Sequence, residues 1–392
     1  MIRYRNTKRE INKLYIYNVI VNFSMVSLIR NIYLQDEGFS LLQIGVLLSV
    51  CFFGKVIFEI PTGFIADYYG NKVSLLGALL LQIASLVIMA GFNSFGMLFM
   101  SFVLLAMAYA MTTGCYDTIL VVMVKEDSNV SLTEVNSKNR FLSYASVGIA
   151  SVMGGYVYQK GASYVFGIDV ILLVVATIII WSIPYNEKRQ VLDIQKSTRT
   201  VLNHMIQNKV IFYFVLMDTA IDFAMIPIDE FYLNYLVKIF GFSIEVSTGI
   251  KGMQFLLVSL AAIPLSRYWK KYDAKSVIKI LPILMCICFF VFTILNDGII
   301  AIVFYIIALL IFCCFSPVKY ACLHRSILSE YRTTIISIKS IFTMAISVVS
   351  QPIFGWIGDN YTMQIGARML IIMSIFSLIA INLMFSKIDL VT

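Results

Sequence analysis

Runs of about 20 predominantly apolar residues recur about twelve times along this chain, and they leave it few folds to choose from. Each run is long enough to cross ~30 Å of hydrocarbon. They fall near 13–34, 41–62, 73–92, 95–118, 140–159, 163–184, 210–237, 247–266, 276–296, 299–321, 334–357 and 366–386. Lipid offers a backbone no hydrogen-bond partners, so every span is expected to be helical. A composition of 60% hydrophobic and 13% charged residues, with mean hydropathy +0.87, excludes an ordinary soluble domain. The expected fold class is an all-α membrane protein with twelve transmembrane helices.

The cations orient these spans. Arg3, Arg5, Lys8, Arg9 and Lys13 precede the first span, and the positive-inside rule holds that end cytoplasmic. Alternation then places Lys188, Arg189, Lys196, Arg199 and Lys209 inside, followed by Arg267, Lys270, Lys271 and Lys275. The outer loops carry few cations, namely Lys160, Lys238 and Arg368. The net charge of +8 therefore reads as an orientation signal with some attraction to anionic lipid, not as a nucleic-acid footprint. Both termini are expected to be cytoplasmic, in the inner membrane of a bacterial cell. The first span is too long for a signal peptide and lacks a small-residue cleavage site, so it is expected to be retained.

A charged stretch near the midpoint divides the chain into an N-terminal half (1–184), a cytoplasmic linker (185–209) and a C-terminal half (210–392). Val201, Leu202, Met205 and Ile206 are spaced as on a helix lying at the membrane surface, and a solvated tether is an equal alternative. The halves echo each other. Arg140 opens a span ending in Gly154-Gly155-Tyr156, and Arg332 opens one ending in Phe354-Gly355-Trp356.

Between the second and third spans stands Gly63-Phe64-Ile65-Ala66-Asp67-Tyr68-Tyr69-Gly70-Asn71-Lys72, read as a short polar turn. Its spacing, Gly-x-x-x-Asp-x-x-Gly-x-Lys, resembles the loop signature of the major facilitator superfamily. The preceding Glu59-Ile60-Pro61-Thr62 resembles the extension found in bacterial multidrug and macrolide efflux members. Asn71 departs from the pattern, leaving Lys72 alone where many members carry two basic residues. The resemblance implies the major facilitator fold, two six-helix halves in one chain. It also implies a gating role for Gly63, Asp67, Gly70 and Lys72. Asp67 would lie against the start of the eleventh span near Thr333 and Thr334, where a carboxylate accepts orphan amides of a helix N-terminus. Asp117, near the inner end of the fourth span, is expected to pair with Lys72. Gly148-Ile149-Ala150-Ser151-Val152-Met153-Gly154-Gly155 resembles a degraded fifth-helix motif of proton-coupled exporters, and close helix packing explains it equally.

The seventh span carries Asp218, Asp222, Asp229 and Glu230. At ~100° per residue the three aspartates fall within roughly 40° of one another, forming one acidic stripe. Each acid at mid-membrane costs about 2.5–3.5 kcal/mol on insertion scales, so the stripe must face water, a cation or the bundle centre. Two close carboxylates resist double ionisation, which is the property a proton-coupling site needs. Asp218 and Asp222 are accordingly the expected coupling and substrate residues, the alternative being structural ion pairs with intramembrane bases. Asp229 and Glu230, nearer the outer surface, are expected on a vestibule rim. Arg30 lies at similar depth and is a candidate to close an outer gate with one of them. Pro227 removes one helical hydrogen bond and allows a bend. Lys55 and Glu59, four residues apart, are expected to pair, which leaves Glu59 either a neutralising partner or a third proton-coupling residue. Arg30, Lys55, Lys251, Lys319 and Lys339 are the bases available for such pairs, although Lys319 and Lys339 are expected to reach the cytoplasmic surface.

The seven cysteines lie in or beside spans and read as core filling. Tyr116, Tyr144, Tyr213, Phe223, Tyr232 and Trp356 are candidate cavity aromatics. The sequence contains no Walker-type loop and no Ser/His/Asp or metal-ligand constellation, so no cofactor, no metal site and no enzymatic activity are expected. The expected partners are protons, a small-molecule substrate and the bilayer, with the protein a monomer. The expected function is proton-coupled efflux of an amphipathic or cationic small molecule by alternating access. The alternatives are a metabolite/proton symporter, a lipid or lipopeptide translocase, or a membrane partner that transports nothing.

Overall fold

The computed structural model describes residues 7–125, 132–184, 208–269, 273–327 and 332–386, and among them every regular element is helical. The helices are α1 (Thr7–Asn22), α2 (Met25–Asp36), α3 (Leu41–Tyr69), α4 (Asn71–Gly91), α5 (Phe95–Thr112), α6 (Cys115–Lys125), α7 (Leu132–Lys160), α8 (Ala162–Trp181), α9 (Lys209–Glu230), α10 (Tyr232–Lys238), α11 (Ile244–Trp269), α12 (Ala274–Ile294), α13 (Gly298–Ser326), α14 (Arg332–Asn360) and α15 (Met363–Met384). Ten stretches among the described residues are long and apolar enough to cross a membrane. The first span differs because it is broken. α1 stops at Asn22 and α2 restarts at Met25, with Ser24 as its extended N-cap. The seventh span is interrupted at Phe231, four residues beyond Pro227, through which α9 runs on unbroken. Most of the expected linker (185–209) lies outside the described residues.

The expected polar turn over 63–72 shrinks to one residue. α3 continues to Tyr69 and α4 begins at Asn71, so the reversal rests on Gly70, with φ of 98°. A side chain is strained at that φ, and glycine is not.

α7 and α14 each have 29 residues, and α4 and α12 each have 21.

The chain forms two compact units. The first comprises Met1–Gly38, Val50–Leu192 and Phe242–Leu256. Within it α4 packs on α5 and α8, while α1 and α2 pack on α7 and α8. Ala78 and Ala108 are fully buried, and the Met111 methyl fills the space beside Gly77. Small residues of this kind let membrane helices approach. The second unit comprises Phe39–Ser49, Asp193–Gly241 and Leu257–Thr392. Its core is aromatic: Tyr232 stacks on Tyr305 at 4.0 Å between centroids, and Phe292 packs edge-on to Tyr305 at 5.2 Å. Six cysteines are buried and Cys313 half-buried, all as free thiols in helices. Outward faces carry Ile60, Phe376 and Leu383, each about 70% exposed, as lipid-facing side chains are.

Candidate functional site: a buried ionic ladder

The acidic stripe of α9 meets two lysines. Asp218 is only 3% exposed, and its Oδ1 accepts from Lys319 Nζ of α13 at 2.5 Å. Its other oxygen, Oδ2, forms an ion pair with Lys339 Nζ of α14. One turn further along α9, Asp222 Oδ2 accepts from the Thr343 hydroxyl at 3.0 Å. Thr343 is itself one turn beyond Lys339, so α9 and α14 face each other as a two-rung ladder: Asp218 with Lys339, then Asp222 with Thr343. The i, i+4 spacing on both helices aligns the rungs. Tyr320 lies 5.0 Å from both ammonium groups, and Phe315 lies 5.0 Å from that of Lys319. These rings offer their faces to the cations.

The lysines were expected at the cytoplasmic surface. The structure instead buries Lys319, 4% exposed, and turns Lys339 inward, because a carboxylate at the same depth compensates the charge of each. With both aspartates ionised, the four charges of the cluster (Asp218, Asp222, Lys319, Lys339) sum to zero. Such a cluster is poor evidence of stabilisation, since desolvation costs several kcal/mol per ion.

The remaining residues singled out in the sequence are dispersed. Asp229 is exposed at the end of α9 and accepts from the Tyr305 hydroxyl at 3.1 Å; Glu230 follows it, half-buried. Lys55 and Glu59 do not pair, and among the described residues neither forms an ion pair. Gly63 lies in mid-helix, exposed and with open space around it, so no turn or contact demands a glycine there. Asp67 is exposed in the last turn of α3, where a carboxylate opposes the helix dipole. The side chains of Thr333 and Thr334 lie outside the described residues. Lys72 does not meet Asp117. Its ammonium donates to the carbonyls of Trp181 at 2.8 Å and Ile183 at 2.6 Å, closing the C-terminal end of α8. Asp117 sits in the first turn of α6, where a negative charge is favourable. Among the aromatic candidates, Tyr213 is buried and donates to Asn382, Tyr232 belongs to the core stack, and Tyr144 and Trp356 are exposed.

Tyr116 and Arg30 line a cavity of about 420 Å³ inside the first unit, together with Asn18, Gln82 and Asp169. Arg30 is 7% exposed, with its guanidinium 5.3 Å from the centre of the Phe102 ring. Asp169 of α8 was missed in the sequence. Its carboxylate, 3% exposed, accepts from Ser24 Oγ at 3.0 Å and from the amides of Met25 at 3.2 Å and Val26 at 2.9 Å. The signal was available, since Asp169 is the one acid in an otherwise apolar span, and the insertion cost applied to Asp218 applies equally there. Asp359 was missed as well. It ends α14 and accepts from the amides of Leu41 and Leu42, both at 2.8 Å, capping α3.

Comparison with known proteins agrees with this architecture. Residues 15–343 match the Major Facilitator Superfamily. A 150-residue stretch is 25% identical to the uncharacterized MFS-type transporter YxaM of Bacillus subtilis (strain 168). The match spans 38% of this chain and 36% of that relative, so about a third of the relative's length is covered. Among solved structures, the chain is similar to the nucleoside transporter NupG, with TM-score 0.78 and 13% identity over 98% of this chain and 100% of that one. It is also similar to a D-xylose-proton symporter, with TM-score 0.73 and 14% identity over 96% and 95% of the two chains. A bacterial homologue of the lysosomal transporter Spinster, inward-facing and unoccupied, gives 0.76 and 11% over 97% and 96%. At these identities the likeness is one of fold.

Proposed function

The chain belongs to the Major Facilitator Superfamily, and from that premise we propose that it exports a small amphipathic molecule in exchange for protons, by alternating access between its 1–184 and 210–392 halves. One observation carries this reading: the charge-balanced cluster in which buried Asp218 and Lys319 meet half-buried Asp222 and Lys339. Four ionisable groups at that depth are costly, and such groups in membrane helices mark ion pathways. A proton added to the neutral cluster leaves one positive charge, and its loss restores balance. Asp222 is the natural carrier, because Asp218 already answers two ammonium groups. The cluster has no surplus negative charge, which argues for amphipathic rather than cationic cargo. The export direction rests on the resemblance of Glu59–Lys72 to efflux carriers. Asp67 fits a gating role because its place in α3 is unfavourable in this state, which leaves its carboxylate to be satisfied in another.

The test uses purified protein in liposomes enclosing a pH-sensitive dye, with the uncharged amphipathic compound chloramphenicol as the probe. Probe addition is expected to drive proton movement in the wild type and none in Asp222→Asn, while downhill probe exchange persists in that variant. Everted vesicles should accumulate the probe only while energised. Equal proton movement in Asp222→Asn overturns the role of the cluster, and accumulation only in right-side-out vesicles overturns the direction and favours a symporter.

A further inference from the structure

The second piece of the broken first span is capped by a single side chain from α8. α1 ends at Asn22, and the restart of α2 at Met25 leaves its first amides without partners in their own helix. Asp169 supplies the missing acceptors. Oδ2 takes the Val26 amide at 2.9 Å and the Ser24 hydroxyl at 3.0 Å, and Oδ1 takes the Met25 amide at 3.2 Å. No cation is needed to explain how this charge is held, since two amides, a hydroxyl and the positive end of α2 are all aimed at it.

Asp169 is also on the wall of the 420 Å³ cavity. Gln82, 8% exposed, lines the same space with no hydrogen-bond partner for its amide among the described residues. That amide is a foothold for water, which needs polar partners and room to enter. The ionisable groups facing this space are Tyr17 of α1, Arg30 of α2, Tyr109 of α5 and Tyr116 of α6. Tyr33 of α2 packs on Phe166, less than a turn from Asp169. α4 and α7 bring no ionisable side chain to the lining.

We propose that Asp169 is a second proton-carrying residue, which pins the start of α2 to α8 when ionised and loosens that cap when protonated. A hydronium ion arriving through water in the cavity gives its proton to one carboxylate oxygen and leaves as water. The charge that held both amides is then gone, and that oxygen carries a donor where an amide also donates. The break gives α2 freedom to respond, as discontinuous helices do in other transport folds. This site is separate from the ladder of the second unit, and the inference stands whether or not the ladder couples transport.

Infrared pH-difference spectroscopy on the full chain in nanodiscs tests it without knowledge of the cargo. A protonated-carboxyl band that grows on acidification is expected in the wild type, lost in Asp169→Asn, and retained in the Asp218→Asn/Asp222→Asn double variant. Ser24→Ala keeps the carboxylate but removes one donor to its ionised form. It should move the band's midpoint to higher pH, and it remains informative if Asp169→Asn does not fold. A band unchanged by both Asp169→Asn and Ser24→Ala, or lost in the double variant alone, overturns the proposal.

Discussion

Gly155 and Gly355 occupy the same place on two helices of equal length, each five residues before the helix ends. Each receives another helix at its first turn. A methyl group added at Gly155 would meet the Cα of Glu245 at 2.8 Å, and one at Gly355 would meet the Cα of Leu42 at 2.7 Å. Backbone cannot yield as a flexible side chain does, so both glycines are fixed by close approach. The two contacts differ in one respect. Beyond Gly355, Asp359 accepts two amides at the start of α3, whereas Gln159 holds the matching position beyond Gly155.

Gly355→Val is therefore expected to force α3 and α14 apart. Asp359→Ala removes the cap and leaves the packing, at about 0.5–2 kcal/mol. Thermal unfolding in detergent and spin-label distances between residues 43 and 361 check both. The expected pattern is a longer distance in Gly355→Val and a lower melting temperature, at unchanged distance, in Asp359→Ala.

The ladder predicts an order of severity among charge deletions. Asp218→Asn leaves Lys319 and Lys339 facing each other without their acid, and stripping a buried charge of its partner costs about 3–5 kcal/mol. Lys339→Gln leaves Asp218 with Lys319, so its cost should be smaller. Asp218→Asn combined with Lys339→Gln should recover part of the loss. Unfolding measurements on the three variants give the coupling energy, and strict additivity would mean that the cluster does not act as a unit.

Asp67 opposes the dipole of α3 where it stands, so Asp67→Asn should stabilise that helix end by roughly 0.3–1 kcal/mol. If the carboxylate is satisfied in another state of the cycle, the same substitution should shift the distribution toward the state described here. Double electron–electron resonance between labelled cytoplasmic ends of helices checks this. An unchanged distribution would remove Asp67 from the gating machinery.

Much of the architecture was legible because the bilayer imposes one demand on every span, and length and hydropathy answer it directly. The breaks were not. Asn22-Phe23-Ser24 carries neither glycine nor proline, and its interruption depends on Asp169, far away in sequence, to accept the freed amides. Pro227, a conventional breaker, leaves its helix continuous, with the interruption falling at Phe231. The acidic stripe was readable from spacing on one helix. Lys319 and Lys339 stood among five candidate bases, but which of the five the stripe meets was not readable, because both lie near helix ends, where long side chains can also snorkel, and only packing decides. The i, i+4 pairing expected of Lys55 and Glu59 failed for the complementary reason: spacing permits a contact, and surroundings determine whether it forms.

The single-residue elbow at Gly70 has a mechanical consequence. A loop of several residues would absorb a rotation of α3 before α4 felt it. One glycine between Tyr69 and Asn71 offers two soft torsions and no slack. α3 and α4 are thus coupled like the arms of a crank, with Lys72, one residue past the pivot, tied to the carbonyls of Trp181 and Ile183 at the end of α8. A tilt of α3 must be delivered to α8, the helix that carries Asp169.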